Sequence, residues 1–115
     1  PMQCEYYALE GLSALLETIK ALRASSNPRL DIEGLLRTMY DPRISLSRDV
    51  SRQLVTHFGE KLFRTVIPRN IKLAEAPSHG LPVIEYDRSS KGSLAYMALG
   101  AELLKRQGGF SSQLL

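Results

Sequence analysis

The sequence predicts an α/β protein, and more narrowly one half of a doubly wound domain with a parallel sheet. Strand-like and helical segments alternate along the 115 residues. A strand, a helix and a strand in that order are typical of parallel strands joined by a crossover helix. Because two strands make a poor sheet and parallel sheets are covered on both faces, we interpret the chain as the C-terminal half of a larger domain, with two strands and three main helices.

Three segments have the three- and four-residue apolar spacing of helices. In the first, Tyr7 to Leu22, the repeated residues are Leu9, Leu12, Leu16, Ile19 and Leu22. In the second they are Leu46, Val50, Leu54 and Phe58, with Ser45 or Ser47 as the expected N-cap and Gly59 as the expected end. The third should begin after Ser89 or Ser90 and bury Leu94, Met97, Ala98, Ala101 and Leu104.

Two strands are predicted between these helices, at Leu30 to Met39 and at "LFRTVI", which Pro68 ends. Ligands of doubly wound folds sit beyond the carboxyl ends of the strands. The segments "TMYDPR" and "IPRNIKLAEAPSHG" follow the two strands in that position. They are therefore candidate binding segments, and a plain connecting loop is the alternative for each.

Composition indicates a globular chain in a reducing compartment. The sequence is 43% hydrophobic and 23% charged, which is enough apolar material for a core and too little charge for a disordered chain. The lone Cys4 excludes an internal disulfide and is expected to be a small buried residue. No apolar run reaches the roughly 20 residues that span a bilayer. We expect residues 1–107 to be the folded portion and residues 108–115 to be a flexible tail.

Charge is distributed unevenly along the chain. Up to Tyr40 there are four basic and five acidic residues, whereas the remainder holds eleven basic and seven acidic ones. A basic bias of this size is compatible with an anionic partner such as nucleic acid. An ordinary solvated surface explains the charge equally well.

Four stretches resemble the ParA/Soj chromosome- and plasmid-partitioning ATPases, of the MinD-like deviant P-loop class. They are "QCEYYALEGLSALLETI", "TMYDPR", "TVIPRNIKLAEAPSHGLPVIEYDRSSKG" and "AYMALGAELL". The resemblance runs from Pro1 to about Lys105 and implies the C-terminal portion of a P-loop NTPase domain. The phosphate-binding loop of that family, of the form KGGVGKTT, is absent from this sequence, as are its two acidic motifs.

The resemblance implies a function for the longer parent rather than for this chain alone. The parent would be an ATPase that uses ATP and Mg, forms a homodimer, binds duplex DNA without sequence preference and responds to a ParB-type centromere-binding protein. It would be cytoplasmic and nucleoid-associated, with no membrane partner. This chain alone should neither hydrolyse ATP nor bind it stably. A freestanding, non-catalytic binding or regulatory protein of the same fold is the alternative.

By the same resemblance, two groups of residues are candidate sites. The adenine pocket would be lined by Met39, Tyr40, Pro68, Arg69 and Asn70. Apolar contact from Met39 and Pro68 suits a base, and the Asn70 amide suits a purine edge. The matching DNA-contact positions are Arg43 and Lys72, with Arg48 and Arg52 as a possible extension of the basic patch.

No catalytic residue and no metal site are expected, since no second ligand stands at metal spacing from His79. Tyr6 and Tyr7 are expected to pack in the core. An isolated half-sheet exposes unpaired backbone groups at its edge. We therefore expect self-association, with the Leu30–Met39 strand next to the missing part of the sheet.

Overall fold

A computed structural model describes residues 1–108 and confirms the α/β class with a parallel sheet. The sheet has the order β1–β2–β3, and both neighbouring pairs are parallel. The strands are β1 (Met2–Gln3), β2 (Leu35–Tyr40) and β3 (Leu62–Pro68). The helices are α1 (Ala8–Ser25), α2 (Ser45–Phe58), α3 (Ile71–Glu75), α4 (Val83–Tyr86) and α5 (Lys91–Arg106).

The described sheet has three strands rather than two, because β1 is only two residues long. Two residues cannot display a period, so no pattern in the sequence predicts this strand. Its presence moves β2 to the centre, and β1 rather than β2 forms one outer edge. The expectation that the Leu30–Met39 strand borders the missing part of the sheet is therefore corrected.

The strand β2 begins five residues later than the sequence predicts. Ahead of it, the side-chain Oδ1 of Asp31 accepts a hydrogen bond from the N–H of Ile32, an interaction typical of turns rather than of strand pairing. Gly34 then passes against the ring of Phe63, and a Cβ built there would lie 2.5 Å from Phe63 Cε2. The approach of the chain to β3 thus requires a glycine immediately before Leu35.

The main core lies between α1, α2 and one face of the sheet. Its buried members are Cys4, Leu12, Leu35, Val50, Leu54 and Leu62. Cys4 is buried, as predicted, and burial raises the pKa of its thiol, although the positive charge of Arg37 opposes that effect. On α1 only Leu12 is fully buried, so most of the predicted apolar face of this helix is partly or largely exposed.

The helix α2 ends where predicted but starts differently. Gly59 forms its C-cap with a positive φ of 47°. Its N-cap is Ile44, and no side chain caps it. Ser47 is buried instead, where its hydroxyl donates to the carbonyl of Cys4 and accepts from the N–H of Asp41. The serine therefore joins the end of β1 to the end of β2.

A bulge in β3 is held from both sides by charged residues. Three residues of β2 (Leu35 to Arg37) face five residues of β3 (Leu62 to Val66). The Glu102 carboxylate accepts the N–H groups of Arg64 and Thr65, at 2.7 and 2.8 Å. The guanidinium of Arg37 donates to the carbonyl of Phe63. The groups that the bulge leaves without ladder partners are thereby satisfied.

The helix α5 begins as predicted, with Ser90 accepting a hydrogen bond from the N–H of Ser93. Its predicted buried face is wrong. Leu94 is 55% exposed, and Met97, Ala98, Ala101 and Leu104 are exposed as well. The inward side is a neighbouring stripe, where Gly92 and Ser93 are buried and Ala95, Leu99, Glu102 and Leu103 are partly buried. On this side Glu102 forms a polar clamp on the bulge in β3, through its bonds to the N–H groups of Arg64 and Thr65.

The segment between β3 and α5 is ordered rather than irregular. It contains α3, a 3-10 turn over Ala76–His79 that Gly80 ends with a φ of 64°, and α4. Each helix is too short to show a period, so the sequence suggests a loop. None of the helices in residues 1–108 is both long and apolar enough to cross a bilayer. The predicted tail, apart from Gly108, lies outside the described residues.

Candidate functional site

A cavity of about 760 Å³ opens at the carboxyl ends of β2 and β3. Met39 comes from the end of β2, Pro68 from the end of β3, and Asn70 from the start of α3. This is the edge of a parallel sheet where ligands bind in doubly wound folds. The cavity is lined by Pro1, Thr38, Met39, Arg43, Ile67, Pro68, Arg69, Asn70, Ile71, Leu73, Ala74 and Tyr96.

The structure brings four of the five predicted adenine contacts to this cavity and leaves out one. Met39, Pro68, Arg69 and Asn70 all line it. Tyr40 follows Met39 in the strand, and its side chain packs against the main core instead. Side chains of successive strand residues point to opposite faces of the sheet, and the ring of Tyr40 lies on the face that meets the core.

Met39 has an unusual backbone conformation, with a φ of 52°. Among the described residues it is the only non-glycine residue with positive φ. Such a conformation costs on the order of 1–3 kcal/mol and tends to occur at functional sites. It coincides with the irregular register between Arg37 and Tyr40, so the end of β2 departs from regular pairing where it meets the cavity.

Asn70 carries a buried polar atom with no partner. Its Oδ1 has no hydrogen bond within the described chain, although the atom is buried. The residue is the N-cap of α3, a position where asparagine normally accepts an N–H of the first turn, yet no cap bond forms here. A buried acceptor without a donor is costly. Asn70 lines the cavity, but this oxygen is itself shielded from solvent, so the side-chain amide would have to turn before it could accept an N–H group from a ligand there.

Arg43 stands at the edge of the cavity in a fixed geometry. Its Nε and Nη2 donate to the two carboxylate oxygens of Asp41, at 3.0 and 2.9 Å, and its backbone N–H donates to the same group. The Asp41 side chain is 8% exposed, whereas that of Arg43 is 87% exposed. These hydrogen bonds from Arg43 lower the pKa of Asp41 to about 2, so the pair stays ionised at neutral pH.

The other predicted DNA-contact residues lie on two elements. Arg48 on α2 donates to the carbonyl of Pro42, and Arg52, also on α2, lies 3.7 Å from Asp49. Lys72 lies on α3, with its ammonium 5.7 Å from the centre of the Tyr86 ring. Within residues 1–108 no carboxylate comes within ion-pair distance of Lys72, so its charge is available to an anion.

Tyr6 and Tyr7 do not pack in the core, contrary to the prediction. They are 73% and 71% exposed and contact each other edge to face, with ring centres 4.8 Å apart. They lie in the turn after β1, where the chain has not yet entered α1. Their aromatic character did not predict this exposure, because both residues precede α1, which begins only at Ala8.

His79 makes a ring contact rather than a metal site. Its imidazole stacks on Tyr86 with the ring centres 4.7 Å apart. Tyr86 donates its hydroxyl to Glu75 at 2.6 Å, and this hydrogen bond, with partial burial and the Glu75 charge, raises the pKa of Tyr86. No group of three or more potential metal ligands occurs in the described part of the chain.

Sequence reasoning did not single out Asp41, which binds Arg43, or seven residues that line the cavity: Pro1, Thr38, Ile67, Ile71, Leu73, Ala74 and Tyr96. The Asp-Pro-Arg order could have signalled Asp41, because an aspartate readily bonds the backbone two residues later. Leu73 and Tyr96 come from α3 and α5, and only the packing of these helices against each other brings them to the cavity. No local pattern identifies them.

Comparison with known proteins identifies the family. The profile of the CobQ/CobB/MinD/ParA nucleotide binding domain matches residues 4–83, which is more than half of the chain. The chain belongs to this family. The match includes both strand ends that form the cavity, so the predicted resemblance to ParA and Soj is confirmed.

Several relatives of this ParA-type chain cover nearly all of it. An uncharacterized protein of Pseudomonas putida is 66% identical over 107 residues, which are 93% of this chain and 41% of the relative. The chromosome-partitioning ATPase Soj of Treponema pallidum is 50% identical over 94% of this chain and 43% of the relative. The chromosome partitioning protein ParA of Caulobacter vibrioides is 50% identical, over 93% and 40%. The chain spans about two fifths of the length of these relatives.

Proposed function

We propose that this chain is the C-terminal part of a ParA/Soj-type ATPase that partitions chromosomal or plasmid DNA. In this proposal it contributes adenine contacts and DNA contacts to a longer protein. The observation that carries the proposal is the cavity at the carboxyl ends of two parallel strands, with Met39, Pro68 and Asn70 in its lining. The family match and the relatives at about 50% identity support the same reading.

The cavity residues suit the base of ATP but not its phosphates. The Asn70 carbonyl would accept the exocyclic N–H of adenine, and Met39 and Pro68 would provide apolar contact to the ring. No glycine-rich loop with a lysine followed by serine or threonine occurs in the sequence. Phosphate and Mg binding would therefore depend on residues outside this chain, and the chain alone should not hydrolyse ATP.

DNA contact in this proposal is made by Arg43 and Lys72. Arg43 is largely exposed despite its bonds to Asp41, and Lys72 has no acidic partner among the described residues. Both could contact phosphates, and Lys72 would act as a point charge rather than a bidentate fork. Arg48 and Arg52 could extend this surface. ATP-dependent dimerisation, a ParB-type partner and a nucleoid location in the cytoplasm belong to the same proposal.

A chimaeric protein tests this function. The 107 matched residues of the Pseudomonas putida relative are replaced by those of this chain. The chimaera should hydrolyse ATP and bind random-sequence duplex DNA in an ATP-dependent manner. Replacing both Arg43 and Lys72 with alanine should weaken DNA binding equally for all sequences and reduce its log–log salt slope by roughly one for each lost contact.

The double substitution Lys20→Ala and Lys105→Ala is the matched control for charge, because it removes two exposed cations from α1 and α5, neither of which is assigned a DNA contact. It should weaken binding less than the Arg43 and Lys72 pair. A chimaera that folds and dimerises with ATP, but binds DNA equally well without Arg43 and Lys72, would refute the assigned DNA contacts.

A further inference from the structure

The segment between β3 and α5 places three chemically distinct side chains around the ring of Tyr86. Tyr86, on α4, is stacked by His79 and hydrogen-bonded to Glu75, and the Lys72 ammonium lies 5.7 Å from its centre. Lys72 and Glu75 both belong to α3, and His79 closes the 3-10 turn that follows. The fold of the segment therefore converges on Tyr86.

Lys72 has one ordered neighbour for its charge. No acceptor oxygen bonds its ammonium within the described part of the chain, and the Tyr86 ring lies within the distance at which a cation is attracted to an aromatic face. A lysine has four rotatable carbon–carbon bonds in its stem and loses much side-chain entropy when it is fixed. An aromatic ring can therefore restrict where this charge is presented without neutralising it.

The hydrogen bond from Tyr86 to Glu75 strengthens this role. The phenol donates to a carboxylate at 2.6 Å, and a charge-assisted bond of that kind draws the phenol proton towards the acceptor. The ring face becomes richer in electron density and attracts a cation more strongly. The same bond also ties α4 to α3, so the ring and the lysine are held on connected elements.

We propose that Tyr86 is a positioning residue that holds the Lys72 ammonium ready to contact a phosphodiester of duplex DNA. This inference rests on the proposed function, because it takes Lys72 as a DNA contact. It adds that the contact depends on an aromatic ring fourteen residues further along the chain, and that the hydrogen bond to Glu75 strengthens this effect without being essential to it. In this proposal, the ordered segment between β3 and α5 serves to hold Lys72 in position.

Nuclear magnetic resonance of the full 115-residue chain tests the positioning directly. The ε-methylene protons of Lys72 should be shifted upfield by the ring current of Tyr86. The shift should vanish in Tyr86→Leu and remain in Tyr86→Phe, which keeps the ring. Tyr6→Leu is the matched control, since it removes an exposed tyrosine elsewhere and should leave the shift unchanged. Unshifted Lys72 protons in the unsubstituted chain would overturn the inference.

Titration of the Pseudomonas putida chimaera, in the presence of ATP, with a 16-base-pair duplex of random sequence at several salt concentrations provides the second readout. Tyr86→Leu should weaken binding about two- to fivefold with an unchanged salt slope, because the charge is retained but no longer held. Lys72→Ala should lower the slope by about one. Tyr86→Phe should restore binding to nearly the unsubstituted level.

The two hypotheses fail in different ways. If Lys72→Ala leaves affinity and slope unchanged, the proposed DNA contact is wrong, even where the ring-current shift is present. If Lys72→Ala weakens DNA binding but a folded Tyr86→Leu variant binds DNA as tightly as the unsubstituted chimaera, the DNA contact of Lys72 holds and the positioning role of Tyr86 is overturned.

Discussion

Glu102 should be among the largest polar contributors to stability, because it satisfies two backbone N–H groups that the bulge in β3 leaves unpaired. Glu102→Ala removes both bonds and the 3.4 Å ion pair with Arg106. A hydrogen bond to a charged group contributes about 1.5–3 kcal/mol. Water can replace part of this at Arg64, which is exposed, so we expect a total loss of about 2–3 kcal/mol.

Thermal and urea unfolding of the 115-residue chain measure this loss. About 2–3 kcal/mol corresponds to a fall in Tm of roughly 8–15 °C for a domain near this size. Glu102→Gln keeps one acceptor oxygen and should lose about half as much free energy of unfolding. Glu17→Ala, on the exposed side of α1, is the matched control and should stay within about 0.5 kcal/mol.

The pH dependence provides a separate test. Burial alone would raise the pKa of Glu102, but the hydrogen bonds from Thr65 and Arg64, with the charge of Arg106, outweigh it and lower the pKa. A lowered pKa means that the stabilisation is complete above the unfolded-state pKa of about 4.3 and is lost as the pH falls through the folded-state value. An alanine variant as stable as the unsubstituted chain at pH 7 would refute the proposed clamp.

Three further predictions concern other parts of the chain. Asp41→Asn should flatten the loss of stability between about pH 4 and pH 2, since the lowered pKa of Asp41 makes its stabilisation disappear in that window. If unfolding measured across this range shows the same pH profile with and without the substitution, the Asp41–Arg43 pairing is contradicted. Gly34→Ala should destabilise by about 1–3 kcal/mol in urea unfolding, because its Cβ would collide with the buried Phe63 ring, whereas Gly11→Ala on α1 meets no atom within 4 Å and should not. The chain should self-associate through the outer edge of β1, so sedimentation showing a stable, cooperatively folded monomer at micromolar concentration would contradict that expectation.

The sequence predicts the elements that carry a period and misses those that do not. The apolar spacing of α2 and the strand-like run of β3 are sufficient to identify both elements. Gly59 marks the end of α2 and Ser90 marks the start of α5, through ordinary cap chemistry. The two residues of β1 and the short helices α3 and α4 fall below the length at which a period is visible. Their structure depends on tertiary contacts.

The helix α5 carries two apolar stripes, and only one of them faces inward. Leu94 and Leu104 have the spacing of a buried stripe but are exposed, whereas Leu99 and Leu103 are partly buried. Glu102 and Arg106 bind backbone groups of β3. The spacing therefore indicates a helix correctly but not which side faces the sheet.

The candidate site was predictable through resemblance, and its geometry was not. The motif positions correctly indicated the strand ends at Met39 and Pro68. Nothing in the sequence shows that Tyr40 turns into the core, or that the Asn70 oxygen lacks a partner. The change in direction between Met39 and Tyr40 occurs at the irregular end of β2, where Met39 adopts positive φ.

The central claim is that Asn70 receives the adenine of ATP, and calorimetric titration of the Pseudomonas putida chimaera with ATP and GTP tests it most directly. ATP should bind more tightly than GTP, because guanine presents a carbonyl oxygen at the position where adenine presents an N–H donor. Asn70→Ala should weaken ATP binding about 3- to 10-fold and narrow the difference from GTP. The control Asn27→Ala, at an exposed turn, should change neither affinity. If the unsubstituted chimaera binds ATP and GTP with equal affinity, and Asn70→Ala changes neither affinity, then Asn70 does not receive the adenine of ATP.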